Sequence, residues 1–416
     1  MTAPLSTPRS VVVTGMGLVS ALGPDVPSAF SRLREPRNCV LASDDLATYK
    51  GLQTRLCAPI PDFDPAARYS RKILRSMGRV AALALAATDE ALAQAGLLDD
   101  PGTLSSGRLG VAYGSSSGSI DAIADFYTIL RDREVRNVTS STYLKMMPQT
   151  TAVNLSVHYR TTGRLLPTGT ACTSGSLAIG LAYEAIRDGL QDVMIAGGAE
   201  EFSVTQITVF DTLYATSRRN DAPAATPRAF DADRDGLVIG EGAGTLLLEA
   251  EDHARARGAP ILARVAGFGT NTDGTHVTQP NAATMARCLQ LALDDAAIPA
   301  SELAYVNAHG TATDLGDIAE GTASAAVYPA SVPFSTLKNY IGHTLGACGA
   351  IEAALTIEML RHAWAAPNLN LEHPDPRCGE HNYVLGDGLP LAAPRYAASN
   401  NFAFGGVNTS LVLALP

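Results

Sequence analysis

The sequence predicts an α/β protein built from two similar halves. Apolar strand-like segments and helix-like segments alternate along its 416 residues, which is the pattern that α/β folds require. A chain of this length also exceeds one ordinary domain. The strongest indication is an internal repeat, because ACTSGSLAIGLAYEAIR (171–187) aligns without gaps with LGACGAIEAALTIEMLR (345–361). We therefore expect a duplicated molecule with halves at residues 1–255 and 256–416.

The strands are predicted from short β-branched runs that end in glycine. RSVVVTGMGLVSALG (9–23) predicts a buried strand, then a glycine turn and a helix. ILARVAGFGTNTDG (261–274) shows the same strand and glycines in the second half. Between these segments, GRLGVAYGSSSGS (107–119) predicts another strand followed by a flexible turn.

The helices are predicted from apolar residues at helical spacing. GRVAALALAATDEALAQAGL (78–97) has this spacing and ends at a glycine. The two repeated segments also predict helices, but they are too rich in Gly and Ala to be surface amphipathic helices. Small side chains allow close backbone packing, so we expect this pair in the middle of the molecule, one helix per half.

Composition and charge exclude several classes of protein. Hydrophobic residues make up 46% and charged residues 17% of the chain, which is typical of a packed globular enzyme. The net charge of -10 argues against a protein that coats nucleic acid or an anionic membrane. The six cysteines are scattered without a CxxC pair, which favours reduced thiols in the cytoplasm and gives no support for a metal site. The N-terminus lacks a signal-peptide pattern, and no apolar run reaches the ~20 residues of a membrane span.

Cys172 is the first candidate for a chemical role. It lies where the first repeated helix begins, and a helix N-terminus stabilises a thiolate through unpaired N–H groups and the helix dipole. The same N–H groups could hold a developing oxyanion. Free cysteines are also commonly buried without any reactivity, so position alone leaves both interpretations open. The second repeat carries Gly346 at the equivalent position, which indicates that the fold itself does not require cysteine there.

Two of the eight histidines lie in polar turns that follow apolar strands. They are His309 in YVNAHGTATDLGD (305–317) and His343 in STLKNYIGHTLGACG (335–349). Strand ends that lead into loops are where α/β sheets place catalytic groups. The other six are interpreted by default as surface or capping residues, and another role is left open for His276 alone. They are histidines 158, 253, 276, 362, 373 and 381.

Lys338 precedes His343 by five residues, and Glu352 follows on the second repeated helix. A lysine beside a histidine disfavours the imidazolium form, although a solvated lysine is the common alternative. Near the C-terminus, SNNFAFGGVN (399–408) could lend a further backbone N–H to an oxyanion hole, or it could be a simple turn.

Six motifs in chain order resemble those of the β-ketoacyl-acyl-carrier-protein synthases of the KAS I/II type, in the thiolase superfamily. They are VVVTGMGLVSALG, GTACTSGS, RDGLVIGEGAG, VNAHGTATDLGD, KNYIGHTLGACGAIE and NNFAFGGVN, and together they span essentially the whole chain. The resemblance implies the thiolase fold, with two duplicated α/β halves in a five-layer αβαβα sandwich. It also implies an acyltransferase, a 3-oxoacyl-[acyl-carrier-protein] synthase that performs decarboxylative Claisen condensation with neither cofactor nor metal.

The resemblance also implies a role for each matching residue. Cys172 would take the acyl chain from an acyl carrier protein, and His309 and His343 would bind the malonyl thioester carbonyl during decarboxylation. Lys338 would position His343, with Glu352 as its partner. The oxyanion hole would be formed by the N–H groups of Cys172 and Phe404. The residues implied to contact substrate are Thr311 and Thr313 on the phosphopantetheine arm, and Phe402 and Gly405 in the gate loop over the acyl pocket.

Several positions depart from the motifs usual in that family. Ala403 replaces a glycine of the gate, Val407 replaces a threonine, and Asp314 stands where proline is usual. The segment 148–163, expected to border the acyl pocket, is also shorter than in enzymes of primary fatty-acid synthesis. These departures do not affect the predicted chemistry. They leave open whether the substrates belong to fatty-acid synthesis or to a polyene or polyketide pathway.

Carrier proteins of this family are acidic, so an acidic synthase needs a local basic landing site. RYSRKILRSMGR (68–79) offers one, and RDREVR (131–136) is a second candidate. A solvated helix face is the competing interpretation. The residues of the first candidate are Arg68, Arg71, Lys72 and Arg75, with Arg79 in the same helix-like span.

The sequence also bears on three functions other than condensation. A dinucleotide-binding enzyme is disfavoured because Ser20 stands where GxGxxG needs its third glycine. A cysteine acyl hydrolase needs only Cys172, one histidine and an orienting group. A non-catalytic subunit of the chain-length-factor kind would lack the cysteine. Since Cys172 is present, this hypothesis survives only as a heterodimer in which this chain is the catalytic subunit. A homodimer is our first expectation.

Overall fold

The structure is a computed structural model that describes residues 8–136 and 138–416. The strands of the first half are β1 (Val11–Ser20), β2 (Leu41–Ala42), β3 (Leu56–Ala58), β4 (Leu109–Gly114), β5 (Leu165–Thr168), β6 (Val193–Glu200), β7 (Ile239–Gly240) and β8 (Gly242–Ala250). Those that follow are β9 (Ala263–Thr272), β10 (Leu303–Asn307), β11 (Pro333–Ser335), β12 (Trp364–Ala365), β13 (Asn382–Tyr383), β14 (Leu389–Pro390), β15 (Tyr396–Phe402) and β16 (Val407–Ala414).

The helices alternate with these strands, as the sequence predicted. Up to residue 187 they are α1 (Val26–Leu33), α2 (Pro65–Arg68), α3 (Arg71–Leu74), α4 (Arg79–Gln94), α5 (Pro101–Leu104), α6 (Ile120–Asp132), α7 (Ser140–Met146), α8 (Thr150–Tyr159) and α9 (Ser174–Arg187). The remaining helices are α10 (Val204–Asp211), α11 (Glu251–Ala256), α12 (Ala282–Ala296), α13 (Asp314–Val327), α14 (Lys338–Ile341) and α15 (Cys348–Arg361).

The sheet topology shows that the two halves repeat one design. The first half has the strand order β5-β4-β6-β8-β1, and the second has β11-β10-β15-β16-β9. In each half the first three strands are parallel, and the last two are antiparallel to their neighbours. The first set ends at Ala250 and the second begins at Ala263. The division at residue 255 stays a prediction.

The helices arrange these two sheets into five layers. Helices α9 and α15, which are the repeated segments, contact each other and the strands of both halves. Helices α4 and α8 cover the outer face of the first sheet, and α12, with α13 packed on it, covers the second. Every residue of α15 except its last is buried, as expected for a central helix. The αβαβα sandwich expected from the resemblance is therefore confirmed.

The glycines near the start of each half do not form turns, contrary to the prediction. Strand β1 continues through them to Ser20, and β9 continues through its own glycines to Thr272. A Cβ on Gly17 would lie 1.9 Å from the carbonyl oxygen of Ala87 in α4. A Cβ on Gly269 would lie 2.3 Å from the carbonyl oxygen of Cys288 in α12. These glycines let a helix backbone approach the strand closely, which explains why both halves carry them.

Side chains of the outer helices complete the hydrogen bonding where the two sheets separate. Strands β1 and β9 pair only at two positions, the second being Val13 with Ala263. Beyond that point, the N–H of Met16 donates to the side chain of Gln94 at 2.8 Å. In the second half, the N–H of Phe268 donates to Asp295 at 2.9 Å. Because buried N–H groups need partners, these contacts allow the sheets to part and admit the central helices.

The span 68–79 is not the single helix that the sequence predicted. It contains α2, α3 and the start of α4, separated by extended residues at Tyr69, Ser70 and Gly78. The hydroxyl of Tyr69 donates to Asp89 at 2.7 Å, which ties this irregular segment to α4. Periodicity alone does not reveal such breaks, because the apolar spacing continues across them.

Among the helices that the structure describes, none combines the length and apolarity needed to cross a membrane.

Candidate active site

Cys172 lies in a tight turn between β5 and α9. The turn is a single 3-10 turn, Ala171–Thr173, and Ala171 adopts a left-handed backbone with φ of +50°. The second half repeats this turn at Leu345–Ala347, where Leu345 has φ of +47°. Gly346 occupies the position of Cys172 there, and a Cβ on it would lie 2.7 Å from a carboxylate oxygen of Glu200. The second turn therefore has no space for a cysteine, whereas the first turn does.

The Cys172 thiol is buried and faces several polar groups. Its Sγ lies 3.0 Å from Nε2 of His343. Burial raises the pKa of Cys172 to about 12, while the charge of Lys338 and the backbone N–H groups of Phe404 and Cys172 oppose that rise. Cys172 is therefore a thiol in the free protein. The two N–H groups thus both lie close to the Cys172 sulfur.

The orientation of His343 is fixed from both sides. The N–H of Leu345 donates to Nδ1 of His343 at 3.1 Å, so the proton of the neutral ring is on Nε2. The backbone N–H of His343 donates to the carbonyl of Val238 at 2.6 Å, and its carbonyl accepts from Gly240 at 3.0 Å. Nε2 therefore carries the ring proton and faces the sulfur of Cys172 as a hydrogen-bond donor.

His309 approaches the same point from the end of β10. Its backbone N–H and that of Gly310 each donate to Glu320 at 2.7 Å, and this holds the turn. The ring centroids of His309 and His343 lie 5.2 Å apart and the rings are nearly perpendicular. Burial, followed by the charge of Lys338, lowers the pKa of both histidines well below the usual value, with His343 also contributing for His309. Both rings are therefore neutral.

Lys338 and Glu352 form a fully buried ion pair beneath these rings. The Nζ of Lys338 lies 2.5 Å from Glu352, whose other oxygen accepts from Asn401 at 2.7 Å. Burial opposes the lysine charge, but the Glu352 carboxylate outweighs it and raises the pKa of Lys338. The buried ammonium is thus retained, and its charge adds to the effect of burial in lowering the pKa of both histidines, as the sequence suggested for His343.

The cysteine and the two histidines also resemble a metal-ligand set. The side-chain ligand atoms of Cys172, His309 and His343 lie within 4.8 Å of one another, and all three residues are buried. A divalent cation bound there would sit near the Lys338 charge and would require loss of the thiol proton. The arrangement suits hydrogen-bond donation better than metal binding.

A cavity of about 480 Å³ connects these groups with solvent. Thr311 and Thr313 line it, and their hydroxyls share a hydrogen bond of 2.9 Å. Phe402 and Phe404 also line it, whereas the wall includes Gly406 rather than the predicted Gly405. Further residues that line the cavity are Phe210, Asp273, His276, Asp314 and Glu320.

The gate loop is held by both neighbouring segments. The N–H of Gly405 donates to the carbonyl of Val277 at 2.8 Å, and Asp273 donates its N–H to the carbonyl of Gly406 at 2.8 Å. The ring of Phe404 packs against Phe210, with centroids 5.1 Å apart. Sequence reasoning missed Phe210 and Asp273, because nothing in their local sequence links them to residues 402–406.

Asp314, one of the departures from the usual motif, is held by arginines at the cavity wall. It begins α13 and accepts hydrogen bonds from Arg234 at 3.1 Å and Arg377 at 2.8 Å. The Arg234 side chain is buried and also contacts Asp375 at 2.6 Å. These contacts neutralise the carboxylate that replaces proline here.

The basic patch, defined as Arg68, Arg71, Lys72 and Arg75, lies on the surface of α2 and α3. All four side chains are exposed, and none forms an ion pair with a residue that the structure describes. Arg79 is separate from the patch, because it turns inward to Glu241 at 2.5 Å. In the second candidate segment, the residues paired with acids are Arg131 and Arg136, both with Asp132.

A buried thiol, two neutral histidine donors and two converging N–H groups on a duplicated αβαβα fold define an acyl-transferring condensing enzyme. Comparisons with known proteins agree with that class. Residues 8–254 match the family model for the β-ketoacyl synthase N-terminal domain, and residues 262–372 match its C-terminal domain. The chain belongs to the β-ketoacyl synthase family, as the motifs predicted.

Individual relatives extend over nearly the whole chain. It is 35% identical to 3-oxoacyl-[acyl-carrier-protein] synthase 2 of Vibrio cholerae, over 97% of this chain and 98% of that protein. A β-ketoacyl synthase crystal structure from Burkholderia phymatum is 53% identical, with a TM-score of 0.95, over 98% and 100% of the two chains. The ishigamide ketosynthase/chain length factor is 30% identical, with a TM-score of 0.90, over the same shares.

Proposed function

We propose that this protein is a 3-oxoacyl-[acyl-carrier-protein] synthase, which joins an acyl chain to a two-carbon unit from malonyl thioester. The observation that carries the proposal is the buried Cys172 thiol, with His343 Nε2 at 3.0 Å and neutral His309 beside it. The family relationship supports the same reaction class. We place the pathway in fatty-acid or in polyene and polyketide elongation.

In the first step, the Cys172 sulfur attacks the carbonyl carbon of an acyl thioester on the carrier. The N–H groups of Cys172 and Phe404 hold the oxyanion that forms. When the intermediate collapses, the acyl group stays on Sγ and the carrier leaves as a thiol, which takes the proton that Cys172 gave up. The cavity delivers the phosphopantetheine arm past Thr311 and Thr313.

In the second step, malonyl thioester enters the same cavity and loses CO2. The electron pair of the broken carbon–carbon bond becomes an enolate, whose oxygen accepts hydrogen bonds from Nε2 of His309 and of His343. The enolate carbon then attacks the Cys172 thioester, and Sγ departs as a thiolate that regains a proton from solvent. Decarboxylation itself supplies the carbanion, so the proposed reaction needs no cofactor, metal or strong base.

The cysteine acyl hydrolase is the less favoured alternative. Both reactions begin with acylation of Cys172, but hydrolysis also needs a base that takes a proton from the water attacking the acyl-enzyme. At His343 the N–H of Leu345 occupies Nδ1, which leaves Nε2 protonated and facing Sγ. The ring therefore donates, as enolate stabilisation requires, and does not accept.

Product analysis tests the proposed function directly. With acyl-carrier and malonyl-carrier substrates, we expect one 3-oxoacyl-carrier product and one CO2 for each malonyl consumed. The matched reaction without malonyl substrate should stop at acylated protein, which intact-protein mass spectrometry detects. Steady release of free fatty acid without a condensed product would contradict the proposal and favour the hydrolase.

We also propose that the basic patch binds the acidic carrier protein. Its four cations are exposed and free of ion pairs within the described residues, whereas the second candidate segment is partly neutralised by Asp132. Unpaired charge attracts an acidic partner and raises the rate of encounter. The patch lies on α2 and α3, which Tyr69 anchors to the core.

Charge reversal in the basic patch is expected to weaken the use of carrier-bound substrate. For Arg68→Glu with Arg75→Glu, we expect KM for acyl-carrier substrate to rise about 10-fold or more at low salt, and kcat to change little. Turnover of a small acyl thioester without a carrier should stay unchanged. The charge-matched control is Arg287→Glu with Arg395→Glu, two exposed arginines elsewhere on the surface. Equal effects of the two double variants would contradict a specific docking site.

For the quaternary structure, we propose a pair of ketosynthase-like subunits. Strand β5 is the edge strand of the first sheet and carries exposed Leu165, so its outer edge is available for another chain. Tyr127 and Leu130 on α6 and Tyr143 on α7 are exposed too. A homodimer is our first expectation. The relative that is a ketosynthase/chain length factor favours a heterodimer as the second, and the mass of the purified chain with and without a partner separates the two.

A further inference from the structure

Asn401 is a fully buried residue near the end of β15 that connects the two parts of the active site. Its Nδ2 donates to Glu352 at 2.7 Å and lies 3.4 Å from Nδ1 of His309. The same nitrogen is 3.8 Å from Sγ of Cys348, which in turn contacts the carbonyl of Cys172 at 3.2 Å. One amide thus contacts His309 and the ion pair beneath it.

The orientation of the Asn401 amide follows from its neighbours. Glu352 is paired with Lys338 and presents a carboxylate oxygen, which is an acceptor only. If the amide were flipped, its carbonyl oxygen would meet that carboxylate at 2.7 Å, and two acceptors would repel each other. The NH2 group must therefore face Glu352, and its second N–H is the group near His309. The carbonyl oxygen is left buried without a partner among the described residues.

This orientation determines which nitrogen of His309 carries the proton. A donor facing Nδ1 requires a lone pair there, so the proton of the neutral ring is on Nε2, toward the cavity. Within the described residues, Asn401 is the only hydrogen-bond partner of the His309 ring. At His343 the same task is performed by the backbone N–H of Leu345. A backbone N–H therefore fixes the Nε2–H tautomer of His343, and a side-chain amide fixes that of His309.

We infer that Asn401 is a positioning residue that fixes the Nε2–H tautomer of His309 and so makes this ring a donor to the enolate oxygen. The inference rests on the proposed function for its catalytic consequence. The tautomer of His309 itself can be measured in the free protein and does not depend on any substrate. Asn401 contacts no reacting atom and acts through His309.

Asn401→Asp is the informative variant, because it keeps the shape and removes the donor. The new carboxyl group lies against the Glu352 carboxylate, and one proton forms a hydrogen bond between these two groups. The oxygen facing His309 is then an acceptor, which draws the ring proton to Nδ1 and leaves a lone pair on Nε2. The matched control is Asn400→Asp, in which the neighbouring buried amide oxygen already accepts from Tyr328 and Ser410 and has no contact with His309.

Nitrogen-15 NMR of histidine-labelled protein measures the tautomer without substrate, with His309 assigned by its absence in His309→Ala. We expect Nε2–H in the parent and in Asn400→Asp, and Nδ1–H in Asn401→Asp. Malonyl decarboxylation should fall about 100-fold in Asn401→Asp, the loss typical of one oxyanion donor, while acylation of Cys172 stays within about threefold. Asn400→Asp should change both rates by less than about twofold.

Two results would overturn the inference. One is an unchanged Nε2–H tautomer in Asn401→Asp, and the other is an equal loss of acylation and decarboxylation, which a general structural defect would produce. If Asn401→Asp does not fold, Asn401→Ala tests the same point, because it also removes the donor. A parent protein that forms no 3-oxoacyl product refutes the proposed function, whereas the tautomer measurement still decides the role of Asn401.

Discussion

Cys172→Ala should abolish condensation while the protein stays folded. The substitution removes only the sulfur from a buried residue, and the second half forms the same 3-10 turn with Gly346 at the equivalent position, so the turn does not need a cysteine. Without Sγ the acyl chain has no covalent acceptor, and we expect 3-oxoacyl formation to fall at least about 1,000-fold. Intact-protein mass spectrometry should show no acyl adduct. Decarboxylation of malonyl thioester should continue, since His309 and His343 remain.

The matched control for this experiment is Cys288→Ala. Cys288 is also fully buried, but it lies in α12, where its Sγ donates to the carbonyl of Gly269 at 3.3 Å. Both variants should unfold at temperatures close to that of the parent, and only Cys172→Ala should lose condensation. If Cys172→Ala elongated acyl chains at the parental rate, another nucleophile would have to be sought, beginning with Cys348 behind it.

The duplication could be predicted from the sequence because both central helices must be made of small residues. Helices α9 and α15 pack against each other between two sheets, and that constraint acts on both halves alike. The glycines of β1 and β9 were visible but misinterpreted as turns. Their cause is the close approach of α4 and α12, which only the packed structure shows. Local sequence patterns report the conformation of a segment, and they report its tertiary neighbours poorly.

The active site was predictable as residue types and only partly as geometry. Cys172, His309 and His343 stand at turns that follow strands, and the structure brings their ligand atoms within 4.8 Å of one another. The tautomers were not predictable, because they depend on Leu345 N–H and on Asn401, which approach from other segments. The sequence analysis treated Asn401 only as part of the loop motif at 399–408 and gave it no role of its own. A buried amide beside an ion pair has no signature in the sequence.

Removal of either histidine is the second large effect that we expect. In His309→Ala or His343→Ala, one donor to the enolate oxygen is lost, and malonyl decarboxylation should fall roughly 100-fold to 1,000-fold. Cys172 keeps both oxyanion-hole N–H groups, so it should still accept an acyl chain from the carrier. Mass spectrometry of the protein after incubation with acyl-carrier substrate alone measures that acylation, and carbon-14 release from malonyl substrate measures decarboxylation.

His276→Ala is the matched control, because His276 is exposed and its Nδ1 accepts from the backbone N–H groups of Thr278 and Gln279 in its own loop. It should retain decarboxylation within a few-fold of the parent. Loss of acylation in His343→Ala to the same extent as decarboxylation would indicate that the ring activates the thiol. The donor role derived from Leu345 would then be wrong.

The pH dependence of decarboxylation tests the lowered pKa of the two active-site histidines. Burial and the Lys338 charge lower the pKa of both histidines well below the usual value, so both rings stay neutral above that lowered pKa. Decarboxylation by the parent should therefore be flat from about pH 6 to 8, because neither ring changes its protonation there. A histidine with an ordinary pKa of about 6.5 would instead change its protonation as pH falls through that value. A change in rate near pH 6.5 in the parent that disappears in His343→Ala would show that His343 titrates there, and it would contradict the lowered pKa.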